Sequence, residues 1–226
     1  QYSMAFFQGP NIVTENLKLA LDAGSERSYS GSGTSVDSIV SANTATLYNG
    51  VAYSSNNGGF WDFDGSDDYI LTDFGSGLNP TTQDLSYGIW VKPDSTATSM
   101  FIMQSNWGGS TRFYIGQLSQ KLAWGIQERG WNSNDTDLTF VTGEWYYINI
   151  VFSGTTAKLY ANGVLKATDT ISSFTFQNEL GIGSGRPYTS NYYWNGGISA
   201  CRVYYKELTA AEVLQNFNAQ KSRFGL

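Results

Sequence analysis

The side chains of this chain that are suited to chemistry are carboxylates, amides and aromatic rings, because histidine is absent. The 226 residues contain no histidine and a single cysteine, Cys201. Without an imidazole, a Ser-His-Asp or Cys-His nucleophile cannot form, and most zinc sites lose their usual ligand. Cys201 lies in a strand-like segment, where a thiol more often packs in a core than reacts.

The carboxylates do not form an obvious acid/base pair. Glu128, Glu144 and Glu179 stand alone, and only Asp62 and Asp64 share one face of a predicted strand. These two open a predicted turn, where Asp side chains commonly accept hydrogen bonds from the backbone. We therefore predict no catalytic residues, although a glycosidase with a scattered pair of acids stays open as a third hypothesis.

Two polar loops combine tryptophan with hydrogen-bonding groups, the composition that favours sugar binding. Sugars present apolar C–H faces and hydroxyl edges, so their sites pair an exposed ring with amides, carboxylates or guanidinium groups. A lid over the end of the fold is the alternative role for the two tryptophans. The predicted ligand-binding residues are Trp107, Arg112, Trp131, Asn132, Asn134 and Asp135.

A third loop is predicted to contact another protein chain or a glycan, because tyrosine and tryptophan are common interface anchors. If residues 101–126 form a simple meander, the first two loops share one rim and the third lies at the opposite end. The predicted interface residues are Tyr188, Tyr192, Tyr193 and Trp194.

Calcium is the one cofactor that the sequence suggests, and none is predicted to be required. Asn132, Asn134, Asp135 and Asp137 place alternating oxygen donors on one loop, with Asp135 and Asp137 as the carboxylate ligands. A glycine-containing twelve-residue calcium loop is missing, so a solvated polar loop is the competing interpretation.

Strands must position these loops. The chain has 25 Gly, 15 Tyr, 13 Phe and 7 Trp but only 14% charged residues, which is typical of a strand-and-turn protein. About a dozen short strands are predicted, with hairpin turns at Asn49-Gly50 and Asn162-Gly163 and a long loop at residues 25–43. No linker divides them, so residues 4–226 are predicted to form one domain, with Gln1-Tyr2-Ser3 as an expression scar.

The last predicted strand runs directly into a short helix. Thr209 is placed to cap it, and Glu212 follows three residues later, which completes a capping box. Leu208 before the cap and Val213 after it are spaced as a hydrophobic staple.

The charge and hydropathy of the chain argue against nucleic acid and membrane as binding partners. The formal net charge is −6 with no basic cluster, which argues against nucleic acid. No apolar run is long enough to span a bilayer and no signal peptide is recognisable, so we predict no membrane insertion.

Five segments stand in a recognisable order ahead of the closing strand and helix. They are Phe63-Asp64-Gly65-Ser66-Asp67-Asp68-Tyr69-Ile70, Ser86-Tyr87-Gly88-Ile89-Trp90-Val91-Lys92-Pro93, Glu144-Trp145-Tyr146-Tyr147-Ile148, Lys158-Leu159-Tyr160-Ala161-Asn162-Gly163 and Gly181-Ile182-Gly183. Together they resemble the laminin G-like branch of the concanavalin A-like lectin/glucanase superfamily. The resemblance implies an all-β jelly-roll sandwich of two antiparallel sheets with a short C-terminal helix. Retaining glucanases of this fold carry Glu-x-Asp-x-x-Glu on one strand, which this chain lacks.

Segments 16–24 and 215–226 resemble laminin G-like domains of tailed-bacteriophage virion proteins. This implies a virion-surface protein made without a signal peptide, with glycans, other virion proteins or further copies of itself as partners. Two departures, at residues 35–40 and at Ser199-Ala200, weaken any inherited metal or ligand site near the chain ends. The leading hypothesis is a non-enzymatic, lectin-like virion module, and the alternative is a structural virion protein whose aromatic loops contact other chains.

Overall fold

A computed structural model describes residues 10–97, 99–105, 113–126, 136–173, 175–176, 179–184 and 192–226. Within these residues lie fifteen strands, one α-helix and two 3-10 turns at Asn56–Gly58 and Lys221–Phe224. The strands and helix are β1 (Leu17–Asp22), β2 (Ser35–Asp37), β3 (Thr44–Tyr48), β4 (Ala52–Ser54), β5 (Phe60–Asp64), β6 (Tyr69–Thr72), β7 (Leu85–Pro93), β8 (Met100–Ser105), β9 (Phe113–Leu118), β10 (Lys121–Ile126), β11 (Tyr146–Ser153), β12 (Thr156–Ala161), β13 (Val164–Thr170), β14 (Gly181–Ile182), β15 (Asn195–Tyr204) and α1 (Ala210–Gln220).

The strands form two antiparallel sheets, as predicted for a jelly-roll sandwich. The first sheet has the order β13-β12-β11-β7-β15-β5-β4, and β1 also pairs with β15. The second has the order β10-β9-β8-β14-β6-β3-β2. β15 is long enough to pair with three strands: β7 along one edge, and β5 followed by β1 along the other.

The main hydrophobic core lies between the sheets and follows the two-residue alternation of the strands. Ile148, Ile150 and Phe152 of β11 point inward and are fully buried. Phe113 and Ile115 of β9 meet them from the second sheet.

A second apolar layer covers the outer face of the first sheet. The Trp90 ring stacks on Phe224 at 4.3 Å between centroids, and its indole N–H donates to Gln220 Oε1 at 3.0 Å. Helix α1 begins with the predicted capping box of Thr209 and Glu212, and Val213 and Phe217 pack it into this layer. In the part of the chain that the structure describes, no helix has the length and hydropathy needed to cross a membrane.

An arginine–aspartate network joins the two ends of the domain beneath this layer. Asp22 of β1 accepts from Arg223 Nη1 at 2.8 Å and from Arg202 Nη2 at 3.3 Å. Arg223 also donates to the Gly59 carbonyl at 2.7 Å and to Ser199 Oγ at 2.7 Å. The network therefore ties the C-terminal 3-10 turn to β1, β15 and the turn before β5.

One of the two predicted hairpins is a crossover. Asn162-Gly163 does join the antiparallel pair β12 and β13, with positive φ at both residues. Asn49-Gly50 has positive φ as well, but it carries the chain from β3 in the second sheet to β4 in the first. The dipeptide determines the sharpness of the turn, whereas the sheet that the next strand joins depends on packing. The predicted loop at residues 25–43 also contains the short strand β2.

We expect Asp22→Ala to destabilise the fold by about 3 kcal/mol, because it leaves the buried guanidinium group of Arg202 and the half-buried one of Arg223 without their carboxylate. The matched control is Glu207→Ala, which breaks the half-exposed Lys158–Glu207 pair and should cost less than about 1 kcal/mol. Urea unfolding monitored by tryptophan fluorescence measures both. Equal losses would show that the network does not hold the chain ends together.

Candidate functional site

The outer face of the second sheet is open along β3 and β6. Thr44, Thr46 and Tyr48 alternate outward on β3, while Ala45 and Leu47 between them are buried in the core. Outward side chains two residues apart on a strand are about 6.8 Å apart, so this row of three side chains spans about 14 Å. The first sheet has no equivalent open strip at its centre, since the C-terminal segment covers it.

A groove of about 260 Å³ runs along this strip. At one end the Tyr48 ring, 37% exposed, stacks on Tyr69 with centroids 4.6 Å apart and planes 6° from parallel. The two tyrosines are register partners on β3 and β6, so strand pairing places one ring over the other. The groove is lined by Thr44, Thr46, Tyr48, Leu71, Thr72, Asp73 and Glu179.

The other end of the groove is acidic. Asp73 Oδ1 accepts from the Thr44 amide at 2.9 Å and from Asn43 Nδ2 at 3.1 Å, and its Oδ2 accepts from Thr44 Oγ1 at 3.3 Å. These bonds hold the exposed carboxylate of Asp73 in one orientation. Glu179, half-buried, lines the same end just before β14.

The acidic end of the groove lies at the rim of the second sheet where β8 and β10 end, just before the predicted sugar-binding segments. β8, β9 and β10 form the predicted meander, with Ser105, Phe113 and Ile126 in register at one end. Gly181 pairs with Gln104, so the residues just before β14 lie at this same rim. The predicted ligand residues themselves lie outside the described residues: Trp107, Arg112, Trp131, Asn132, Asn134 and Asp135.

The predicted interface is wrong for Trp194 and Tyr193. Trp194 is fully buried in the main core, and Tyr193 is only 9% exposed. Both lie just before β15, where the Trp194 amide donates to the Gly183 carbonyl next to β14 at 2.7 Å. Tyr192 remains 38% exposed and packs edge-on against Phe101 at 5.5 Å. Tyr188 lies outside the described residues.

The opposite rim carries a second cavity, of about 310 Å³, whose lining includes Asp62, Asp64, Asp68, Asp94 and Asn195. As predicted, Asp64 serves its own turn and accepts from the Ser66 amide at 2.7 Å. Asp68 is buried and accepts from the Asp64 amide at 3.1 Å.

These carboxylates suit a structural role better than catalysis. Burial raises the pKa of Asp68, and burial together with the charge of Asp94 raises the pKa of Asp62. An acid/base pair needs environments that push two pKa values apart, and here both shift in the same direction. Carboxylate oxygens of Asp64, Asp67 and Asp68 lie within 4.8 Å of one another, and in the described chain this is the group suited to hold a hard cation.

Two further residues of the sequence analysis, Asp137 and Cys201, have structural roles. Asp137 forms an ion pair with Lys166 at 2.8 Å, and this hydrogen bond lowers the pKa of the Asp137 carboxyl. A calcium site formed by Asp135 and Asp137 stays a prediction, since Asp135 lies outside the described residues. Cys201 is buried, and burial raises the pKa of its thiol to about 12, so it is not a reactive nucleophile.

Sequence reasoning missed the groove. Its only signal is the alternation Thr44-Thr46-Tyr48 against Ala45-Leu47, which any half-exposed strand can show. Tyr69, Leu71 and Asp73 join this row through strand pairing, which local sequence does not encode.

Comparison with known proteins gives a consistent fold assignment. Residues 64–214 match the model of a laminin G family described as the concanavalin A-like lectin/glucanases superfamily. No curated protein sequence matches the chain.

Three solved structures show the same fold. A Trypanosoma rangeli sialidase mutant displaying trans-sialidase activity matches with a TM-score of 0.72 and 10% sequence identity, over 92% of this chain and 33% of that chain. The binding domain of botulinum neurotoxin serotype D matches with a TM-score of 0.68 and 16% identity, over 91% of this chain and 52% of that chain. Domain 4 of AbnA, a GH43 extracellular arabinanase from Geobacillus stearothermophilus, in complex with arabinotriose, matches with a TM-score of 0.67 and 19% identity, over 90% of this chain and 98% of that chain. The chain thus spans about a third of the sialidase and about half of the toxin domain.

Replacing Asp68 by asparagine should stabilise the fold at neutral pH. The pKa of Asp68 is raised above its ordinary 3.8 in the folded state, so ionisation opposes folding and stability is lost as pH rises through the raised value. Asparagine keeps an acceptor for the Asp64 amide without the charge. We expect a melting temperature about 2 °C higher at pH 7, with no gain below pH 3.8, the ordinary value for this carboxyl.

Differential scanning calorimetry between pH 3 and pH 8 measures this change. Asp67→Asn, at an exposed neighbour in the same turn, is the control; because the charge of Asp67 contributes to the raised pKa of Asp68 less than burial does, it should raise the melting temperature by less than Asp68→Asn. A lower melting temperature for Asp68→Asn at neutral pH would show that the fold needs the charge, and would contradict the prediction.

Proposed function

The chain belongs to the concanavalin A-like lectin/glucanase superfamily, and we propose that it acts as a non-enzymatic carbohydrate-binding module. The observation that carries this proposal is the groove on the second sheet. It joins the Tyr48–Tyr69 stack to threonine hydroxyls and to a carboxylate held by three hydrogen bonds.

The groove has the chemistry that a sugar requires. An exposed tyrosine ring provides an apolar plane for the C–H face, and its neighbours provide donors and acceptors for hydroxyl groups. Thr44 and Thr46 stand on a paired strand, and Asp73 is fixed by its bonds to Thr44 and Asn43. A site whose groups are already in place loses little entropy when the ligand binds.

The named relatives support binding more directly than they support hydrolysis. The arabinanase domain was solved with arabinotriose and the toxin structure is a binding domain, whereas the chain spans only a third of the sialidase. Asp62 and Asp68, which line one cavity, both have a raised pKa, and the chain lacks the Glu-x-Asp-x-x-Glu motif; both observations favour a module without hydrolytic activity. Placement on a bacteriophage particle stays a prediction.

Protein–protein contact is the second candidate, and one surface favours it. The edge strand β13 exposes Val164 and Leu165 at 56% and 49%, and Leu214 of α1, 43% exposed, lies beside the Asn162-Gly163 turn. An apolar edge strand is suited to pairing with another chain. This surface is separate from the groove, so a structural role and glycan binding are compatible.

We expect Tyr48→Ala to weaken glycan binding by at least about 5-fold, because stacking on an aromatic ring contributes about 1 kcal/mol or more. The matched control is Tyr53→Ala, at a tyrosine 36% exposed that also packs on another tyrosine but lies on the first sheet. A glycan array followed by calorimetric titration of the best neutral oligosaccharide measures both variants.

Several outcomes decide between the candidates. Equal losses for Tyr48→Ala and Tyr53→Ala, or no binding by the unmodified chain, would contradict glycan recognition in the groove. Array silence together with a defined oligomer in light scattering would favour the structural role. Release of reducing sugar from mixed polysaccharides would refute the non-enzymatic assignment.

A further inference from the structure

Three pairs of outward side chains line the groove along β3 and β6, and their chemistry changes from one end to the other. The aromatic stack is the first pair, and Thr46 with its register partner Leu71 is the second. Thr44 and Asp73, joined by the hydrogen bond from the Thr44 amide, form the third. Successive pairs are about 6.8 Å apart along the strands. The groove is therefore aromatic at one end, polar at the other and mixed in the middle.

The middle pair places an alkyl surface beside a hydroxyl group. Leu71 is half-buried and lines the groove, and Thr46 across from it is half-buried as well. On its other side Leu71 pairs with Gly181 of β14, a residue without a side chain. A sugar hydroxyl placed on Leu71 loses hydrogen bonds to water and gains none from the alkyl group, whereas an apolar group gains by leaving water. The middle pair is thus suited to a substituent that has both a methyl group and a polar atom.

From this arrangement we propose that the middle of the groove recognises the acetamido group of an N-acetylated sugar; this deepens the proposed function and rests on it. The methyl group of the substituent packs on Leu71, and its amide N–H donates to Thr46 Oγ1. The sugar ring that carries it stacks on Tyr48, one step along β3. A hydroxyl group at the same position of an unmodified hexose can bond to the threonine, but it leaves the alkyl surface of Leu71 without an apolar partner.

The first test compares matched sugars on the unmodified chain. The probes are trisaccharides of N-acetylglucosamine or glucose, and of N-acetylgalactosamine or galactose, on one array, followed by calorimetric titration of the tighter pair. We expect the N-acetylated member to bind at least about 4-fold more tightly, which is the gain from burying one methyl group. A 6-deoxyhexose probe, which has a methyl group but no amide, should bind more weakly than the N-acetylated member.

A leucine variant tests where the discrimination arises. Leu71→Thr removes the alkyl surface and keeps a residue type that favours strands, so the preference for the N-acetylated member should fall by about 4-fold. Binding of the unmodified sugar should stay within about 2-fold. Leu165→Thr is the matched control, at a leucine 49% exposed on β13 of the first sheet, and should leave both affinities unchanged.

A threonine variant tests the amide contact. Thr46→Val keeps the shape of the side chain and removes the hydroxyl group, so it should weaken binding of the N-acetylated member by about 5-fold, the ordinary effect of one lost hydrogen bond. Thr168→Val, at an exposed threonine on β13, is its control and should have no effect. Melting temperatures of all four variants verify that the fold is retained.

The outcomes distinguish this inference from the proposed function. Equal or tighter binding of the unmodified sugar overturns the inference and leaves carbohydrate binding standing. A preference for the N-acetylated member that Leu71→Thr does not reduce also overturns it, because the acetamido group is then recognised elsewhere. A 6-deoxyhexose bound as tightly as the N-acetylated sugar overturns the amide contact. No binding to any glycan overturns the proposed function, and the inference with it.

Discussion

β15 links the two hydrophobic layers of the structure, because its side chains are buried in both. Ile198, Cys201 and Val203 lie in the core between the sheets, while Ala200 and Tyr204 lie in the layer under the C-terminal segment. β15 also provides the pairing edge for β7, β5 and β1. The centre of the first sheet is therefore closed on both faces, which leaves the second sheet, the rims and the strand edges as surfaces for a ligand or partner.

The groove follows from that closure. With its inner face committed to the core, β3 can place only Thr44, Thr46 and Tyr48 outward, and the pairing of β3 with β6 brings Leu71 and Tyr69 beside them. Cross-strand register decides which side chains meet on a sheet face, and a shift by one residue would turn the whole row into the core. The same register that buries Ala45 and Leu47 thus aligns the Tyr48–Tyr69 stack.

Local patterns in the sequence predict this fold well and its surface poorly. The capping box of Thr209 and Glu212 and the Asn162-Gly163 hairpin are confirmed, since each depends on neighbouring residues alone. The hairpin prediction for Asn49-Gly50 is wrong because the sheet that the next strand joins depends on tertiary packing and not on the turn residues. The interface prediction for Trp194 is wrong for a related reason. An aromatic residue next to polar residues can lie on the surface or in the core, and the local sequence is the same in both cases; only tertiary packing decides between them.

The carboxylates have different roles in the structure, and the role of Asp73 determines what the groove can bind. Asp22 is buried beside two guanidinium groups and gives the fold a connection between its ends. Asp64 and Asp68 build a turn at one rim, where burial raises the pKa of Asp68. Within the described residues, Asp73 instead accepts from the uncharged donors Thr44 and Asn43 and stays exposed. These hydrogen bonds orient its carboxylate, so a hydroxyl donor that enters this end of the aromatic groove meets an acceptor already in place.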